Sequence, residues 1–125
     1  MKETILLIED DENIARYVKF KLEKKGYDVH HEDNGIEGLE TVDILDPDLV
    51  IMDMMMPGLD GREVAERINE QQLLDPRRII VLSGKEESEE IKALFKLGIY
   101  DYLHKPFDFD NLLIRIERAL TVLRS

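Results

Sequence analysis

Residues 48–61 read DLVIMDMMMPGLDG, and this stretch decides the fold. Asp48 to Met52 is apolar on consecutive residues after its first, the pattern of a central parallel strand covered by helices on both faces. A strand with one wet face would alternate instead. The run delivers Asp53 at its carboxyl end. Pro57-Gly58 and Asp60-Gly61 then break the chain before a helix that carries Val64, Ala65 and Ile68 on one face.

The same order repeats on both sides of this unit. Upstream, Thr4 to Ile8 reads as a buried strand. Asp11 or Asn13 then caps a helix with Ile14, Val18 and Leu22 four apart, ending near Lys24, Lys25 and Gly26. Tyr27 to His31 is a weaker strand, and Asn34 to Leu45 a helix carrying Ile36, Leu39 and Val42, closed by Asp46-Pro47. Downstream, Asp75-Pro76 precedes a strand from Arg78 to Leu82. A helix from about Glu87 to Leu97 turns Ile91, Leu94 and Phe95 inward. Tyr100 to Leu103 is the fifth strand, and a last helix from about Phe109 places Leu112, Ile116 and Leu120 in register, with Leu113 and Leu123 widening the stripe. Strands alternating with helices across short loops predict an α/β domain, a doubly wound parallel sheet of five strands with five surrounding helices.

At 125 residues the chain is the length of one domain with a real core. It has no cysteine, which removes disulfides, thiolate ligation and cysteine nucleophiles, and fits a reducing cytoplasmic setting. Its start has no signal-peptide pattern and no apolar run long enough to span a membrane. The formal charge of −11 repels nucleic-acid phosphates, which argues against direct nucleic-acid binding.

Open parallel sheets gather their functional groups beyond the carboxyl ends of the strands. Just past the predicted strands stand Glu9 and Asp10, then Asp53, Ser83 and Lys105. Polar loops and helix caps account for any one of them. Together, three carboxylates held within several ångströms repel one another, and a cation must answer that charge. Oxygen ligands without histidine or cysteine favour Mg²⁺, with Mn²⁺ as a second choice. Such a site suits a transferring phosphoryl group, with Lys105 and the Ser83 hydroxyl on its oxygens.

The acidic pair in ILLIEDDE, the central DLVIMDMMMPGLDG, the VLSG segment and DYLHKPF, in this order, resemble the receiver domain of two-component response regulators. The resemblance covers nearly the whole chain. It implies a flavodoxin-like sheet of strand order 2-1-3-4-5 and a single receiver domain over residues 1–125, standing alone or as the N-terminal part of a longer response regulator. Asp53 would take the phosphoryl group from a histidine kinase or phosphotransfer protein. Glu9 and Asp10 would hold Mg²⁺, Asp10 directly and Glu9 through water, with Asp53 and the backbone carbonyl of Met55 completing the protein ligands. Ser83 and Lys105 would bind the phosphoryl oxygens, and the Lys105-Pro106 bond would be cis. Ser83 and Tyr102 would act as the switch, changing the surface made by the fourth helix, fifth strand and fifth helix. On that surface Asp101 with Arg115, and Lys96 with Glu117, mark a candidate homodimer face. The resemblance implies a phosphoacceptor that assists its own phosphorylation and dephosphorylation, acting in the cytoplasm, without membrane or nucleic-acid contact of its own.

Two other readings compete. A metal-dependent phosphatase would need a second acid shortly after the nucleophile, where Met54 to Met56 stand, and a cap for which no insertion is long enough. A receiver-like interaction domain that is never phosphorylated would not need every site residue in place. Met52 reads as core, with Met54 to Met56 as loop contacts, and His30, His31 and His104 as solvated or satisfied histidines.

Overall fold

The computed structural model describes residues 2–84 and 89–124. Its strands are β1 (Thr4–Ile8), β2 (Asp28–Glu32), β3 (Leu49–Asp53), β4 (Ile79–Ser83) and β5 (Asp101–His104), all parallel in the order β2-β1-β3-β4-β5. The helices are α1 (Glu12–Lys24), α2 (Gly35–Leu45), α3 (Gly61–Glu70), α4 (Glu89–Leu97) and α5 (Phe109–Arg124), with a 3-10 turn at Pro76–Arg78. This is the doubly wound sheet that the alternation predicts. The expected start of the fourth helix near Glu87 lies outside the described residues. No helix among those described is long and apolar enough to cross a membrane.

Alternation within the central strands divides the core in two. Ile5, Leu7, Leu49, Ile51, Ile80 and Leu82 point to the side covered by α1 and α5, where they meet Val18, Leu22, Leu112 and Ile116. Leu6, Ile8, Val50, Met52, Ile79 and Val81 point the other way, against Val42, Val64, Ile68 and Leu94 of α2, α3 and α4. Both faces of β1, β3 and β4 are therefore dry, and each of these large side chains contributes roughly 1.5–3 kcal/mol by burial.

The helix starts are chemically specified. The Asp11 carboxylate accepts from the backbone N–H groups of Asn13 and Ile14, so Asp11 is the cap of α1 and Asn13 is not. Asn34 caps α2, and Asp60 forms a reciprocal capping box with Glu63 at α3. The 3-10 turn is opened by Asp75, whose carboxylate binds Arg77 and is held below its usual range by that bond.

Three details depart from the sequence expectations. Strands β2 to β5 each begin and end one residue later, because apolarity marks burial whereas backbone pairing marks the strand. Asp53 and Ser83 are thus the last residues of their strands. Second, Phe95, expected to turn inward, is 47% exposed, and on α2 the apolar Ile36 is 55% exposed. The buried face of α2 is Gly35, Gly38 and Val42, and Leu94 is the buried residue of α4. Third, Met54 and Met56 belong to the core beneath α3 and are not loop contacts, whereas Met55 is exposed.

Candidate functional site

The strand order reverses between β1 and β3, the switch point at which open parallel sheets form a crevice beyond their carboxyl ends. β1 ends at Ile8 and hands Glu9 and Asp10 to that crevice, β3 ends in Asp53, β4 ends in Ser83, and the turn after β5 supplies Lys105. Glu9 is fully buried and Asp53 is 5% exposed, whereas Asp10 is open to solvent. Carboxylate oxygens of Glu9, Asp10 and Asp53 lie within 4.8 Å of one another. Lys105 Nζ reaches into this cluster, 2.8 Å from Glu9 Oε1 and 3.3 Å from Asp53 Oδ1.

The local backbone fixes these positions. Glu9 N–H donates to the Glu32 carbonyl at 3.0 Å, which carries the β1–β2 ladder one step past the strand, and the second Glu9 carboxylate oxygen accepts from Asp11 N–H at 3.1 Å. Met54 N–H donates to the Leu82 carbonyl at 2.9 Å, and Lys105 N–H to the Ser83 carbonyl at 2.7 Å. The Lys105-Pro106 peptide is cis. Ser83 is buried at the end of β4, and beside it, lined also by Met55, Asp60 and Arg62, is a cavity of about 240 Å³. Tyr102, on the edge strand, is partly buried against the core on the α4 side.

The electrostatics follow from crowding and burial. Burial pushes the Glu9 carboxyl up to about 7 against the pull of Lys105, with the Asp53 charge adding to the rise. Asp53 is also raised, chiefly by burial and in spite of Lys105. Burial alone would lower Lys105, but its bonds and charge pairing with Glu9 and Asp53 outweigh that and raise it. With all groups ionised, three carboxylates against one ammonium leave two negative charges uncompensated, the charge that a divalent cation supplies. The donor set is oxygen only, so the residues present fit a hard dication such as Mg²⁺.

Two side chains outside the expected set of site residues stand behind the site. His31, on β2, places Nε2 2.8 Å from the Glu9 carbonyl oxygen, and His104 places Nδ1 3.1 Å from the Ser83 carbonyl oxygen. Each steadies the backbone of a site residue, so of the solvated or satisfied histidines that the sequence predicts these two are satisfied. The candidate dimer residues also gain a local description. Arg115 donates to Asp101 at 2.6 Å and to Asn111 at 3.1 Å within the chain, whereas Lys96 and Glu117 lie exposed on α4 and α5.

Comparison with known proteins agrees with this geometry. A family model described as the response regulator receiver domain matches residues 5–117. The chain is 35% identical over 120 residues to the alkaline phosphatase synthesis transcriptional regulatory protein PhoP of Bacillus subtilis, covering 96% of this chain and 49% of that one. It is 36% identical over 116 residues to the response regulator ArlR of Staphylococcus saprophyticus, covering 93% and 51%. The chain thus spans about half the length of these relatives. Among solved structures, a Francisella response regulator receiver domain superposes with a TM-score of 0.88 at 31% identity, covering 98% of this chain and 99% of that one. The receiver domain of a Pseudomonas aeruginosa sensor histidine kinase, with a magnesium ion coordinated in its active-site cleft, superposes with a TM-score of 0.86 at 26% identity, covering 97% and 99%. By its family match and by its fold, this chain belongs to the response regulator receiver domains of two-component signal transduction.

Proposed function

We propose that Asp53 accepts a phosphoryl group from a histidine kinase or phosphotransfer protein in a step that requires Mg²⁺, and that the modified domain presents an altered α4-β5-α5 surface. The observation that carries this is the joint placement of Asp53, Glu9, Asp10 and Lys105: carboxylates within 4.8 Å of one another and an ammonium 3.3 Å from the acceptor. Glu9, Asp10 and Asp53, with the Met55 carbonyl, would hold the metal, which when bound neutralises charge on the phosphoryl oxygens. The acceptor oxygen of Asp53 attacks phosphorus, the bond from phosphorus to the donor breaks, and the leaving group departs with the electron pair. Lys105, whose Nζ is 3.3 Å from Asp53 Oδ1, would bind one phosphoryl oxygen, and Ser83, beside the cavity, another.

An aspartyl phosphate adds roughly one negative charge and three strong acceptors. These draw Ser83 and Lys105 inward, and the loops after β4 and β5 carry the change to Tyr102 and the outer face of α4. On that reading the domain is a phosphoacceptor that assists its own modification and acts on no separate substrate. It works in the cytoplasm as the receiver of a longer regulator or by itself. The test is intact mass after incubation with acetyl phosphate, with Mg²⁺ or with EDTA, for the native chain and Asp53→Asn. One added phosphoryl group, dependent on Mg²⁺ and absent from the variant, is expected; no gain in the native chain would remove the reading.

The α4-β5-α5 face is also where a homodimer would form, through Asp101, Arg115, Lys96 and Glu117. Because Arg115 already bonds Asp101 inside the chain, a dimer would have to share or exchange that pair. Sedimentation of the full chain with and without a fluoroberyllate phosphoryl mimic tests this, and a monomer under both conditions sinks it.

A further inference from the structure

Two glycines occupy the first position of consecutive helices, each directly after its capping residue: Asn34-Gly35 at α2 and Asp60-Gly61 at α3. Neither has positive φ; the glycines that do are Gly26, Gly58 and Gly98. The backbone conformation at positions 35 and 61 is therefore open to any residue. Proximity is what requires glycine. A β-carbon on Gly61 would lie 2.8 Å from the Asp53 carbonyl oxygen and 2.9 Å from Met54 Cα, and one on Gly35 would collide with the Leu59 carbonyl oxygen. Both obstacles are backbone, which cannot swing aside as the end of a side chain can.

These contacts form a continuous line. The start of α2 presses on Leu59, Leu59 leads into the Asp60 cap, and Gly61 presses on the peptide that joins Asp53 to Met54. Met54 is also bonded on both sides, its N–H donating to the Leu82 carbonyl at 2.9 Å and its carbonyl accepting from Gly61 N–H at 2.8 Å. Its chain neighbours are Asp53 and Met55, the acceptor and the carbonyl ligand of the function proposed above.

Resting on that function, we infer that Gly61, backed by Gly35, is a positioning residue. The missing β-carbon lets α3 seat against the Asp53–Met54 backbone, which fixes the acceptor carboxylate and the Met55 carbonyl relative to Glu9 and Asp10. A β-carbon at position 61 must displace that backbone, and a misplacement of about 1 Å costs reacting groups on the order of 100-fold, so a smaller shift costs about tenfold.

The test compares the full native chain with Gly61→Ala and Gly26→Ala. Gly26 has φ of +98° and open space around it, so alanine there strains the chain without touching the acceptor loop. Thermal midpoint, Mg²⁺ affinity by calorimetry, the rate of phosphoryl gain from acetyl phosphate, and amide chemical shifts in EDTA are measured for each. Both variants are expected to melt earlier. Only Gly61→Ala should lose about tenfold in rate and several-fold in Mg²⁺ affinity, with metal-free shifts moving at Met54 and Met55. Native affinity and rate in Gly61→Ala, or equal losses in Gly26→Ala, would overturn the inference. Should Gly61→Ala not fold, Asp60→Ala frees the start of α3 without adding bulk near Asp53; losses of the same kind support the positioning role and native values overturn it. A native chain that takes no phosphoryl group defeats the phosphoacceptor reading and this one together, whereas a modifiable native chain with an unaffected Gly61→Ala removes the positioning role alone.

Discussion

Lys105 holds two buried carboxylates at once, at 2.8 Å from Glu9 and 3.3 Å from Asp53, with only 18% of its side chain exposed. In the metal-free protein it is the cation that makes this crowding tolerable. Removing one partner of a buried pair typically costs about 3–5 kcal/mol, because the charge left behind is uncompensated. Here the loss has an outlet, since burial already pushes Glu9 up to about 7 and proton uptake can replace the ammonium. Lys105→Met is therefore expected to destabilise the EDTA-treated protein little near pH 5 and substantially near pH 8. Added Mg²⁺ should restore much of the loss, and should bind several-fold more tightly than to the native chain because no tethered cation competes with it. Thermal melts at both pH values, with and without Mg²⁺, check this; equal destabilisation at both would show that Lys105 acts through packing alone.

At the level of the element, α4 separates what sequence pattern can and cannot say. Its apolar residues Ile91, Leu94 and Phe95 are all spaced for an inward stripe, yet Leu94 is fully buried and Phe95 is 47% exposed. Leu94→Ala is expected to cost about 2–5 kcal/mol in urea unfolding, and Phe95→Ala to stay within about 0.5 kcal/mol. A large loss from Phe95→Ala would mean that α4 is rotated from the position described. The reason the sequence misleads here is physical. Helical spacing gives an arc of candidates, and which of them touches the sheet depends on the rotation that packing selects. The same holds for α2, where glycines, invisible to a hydrophobic pattern, form the buried face and leave Ile36 outside. By contrast the site residues were legible as a group, because strand ends in a parallel sheet converge on one rim whatever the helix rotations are. Their mutual distances were not, nor were the backbone bonds from His31 and His104, since these depend on strand register that apolar runs misplace by one residue.

For the whole molecule, the buried acids make stability depend on pH and on metal together. Glu9 rises from the ordinary carboxylate value of 4.5 to about 7 in the folded chain, and Asp53 is raised as well. Between those limits the folded state binds more protons than the unfolded state, so the stability of the metal-free protein falls as pH rises from 4.5 towards 7. The size is on the order of a few kcal/mol, shared between two coupled groups. A cation that binds only the ionised site reverses the sign of this dependence, since its own affinity grows as the protons leave. The expected outcome is a midpoint that declines with pH in EDTA and holds level or climbs in Mg²⁺, with Mg²⁺ binding near pH 6 releasing protons. Glu9→Gln removes the Glu9 titration, so its midpoint in EDTA should flatten relative to the native chain while its Mg²⁺ affinity falls. Calorimetry in two buffers of different ionisation enthalpy measures the proton release directly. If none is found near pH 6, Glu9 is ionised before the metal arrives, and the metal-free site carries its surplus negative charge without a bound proton.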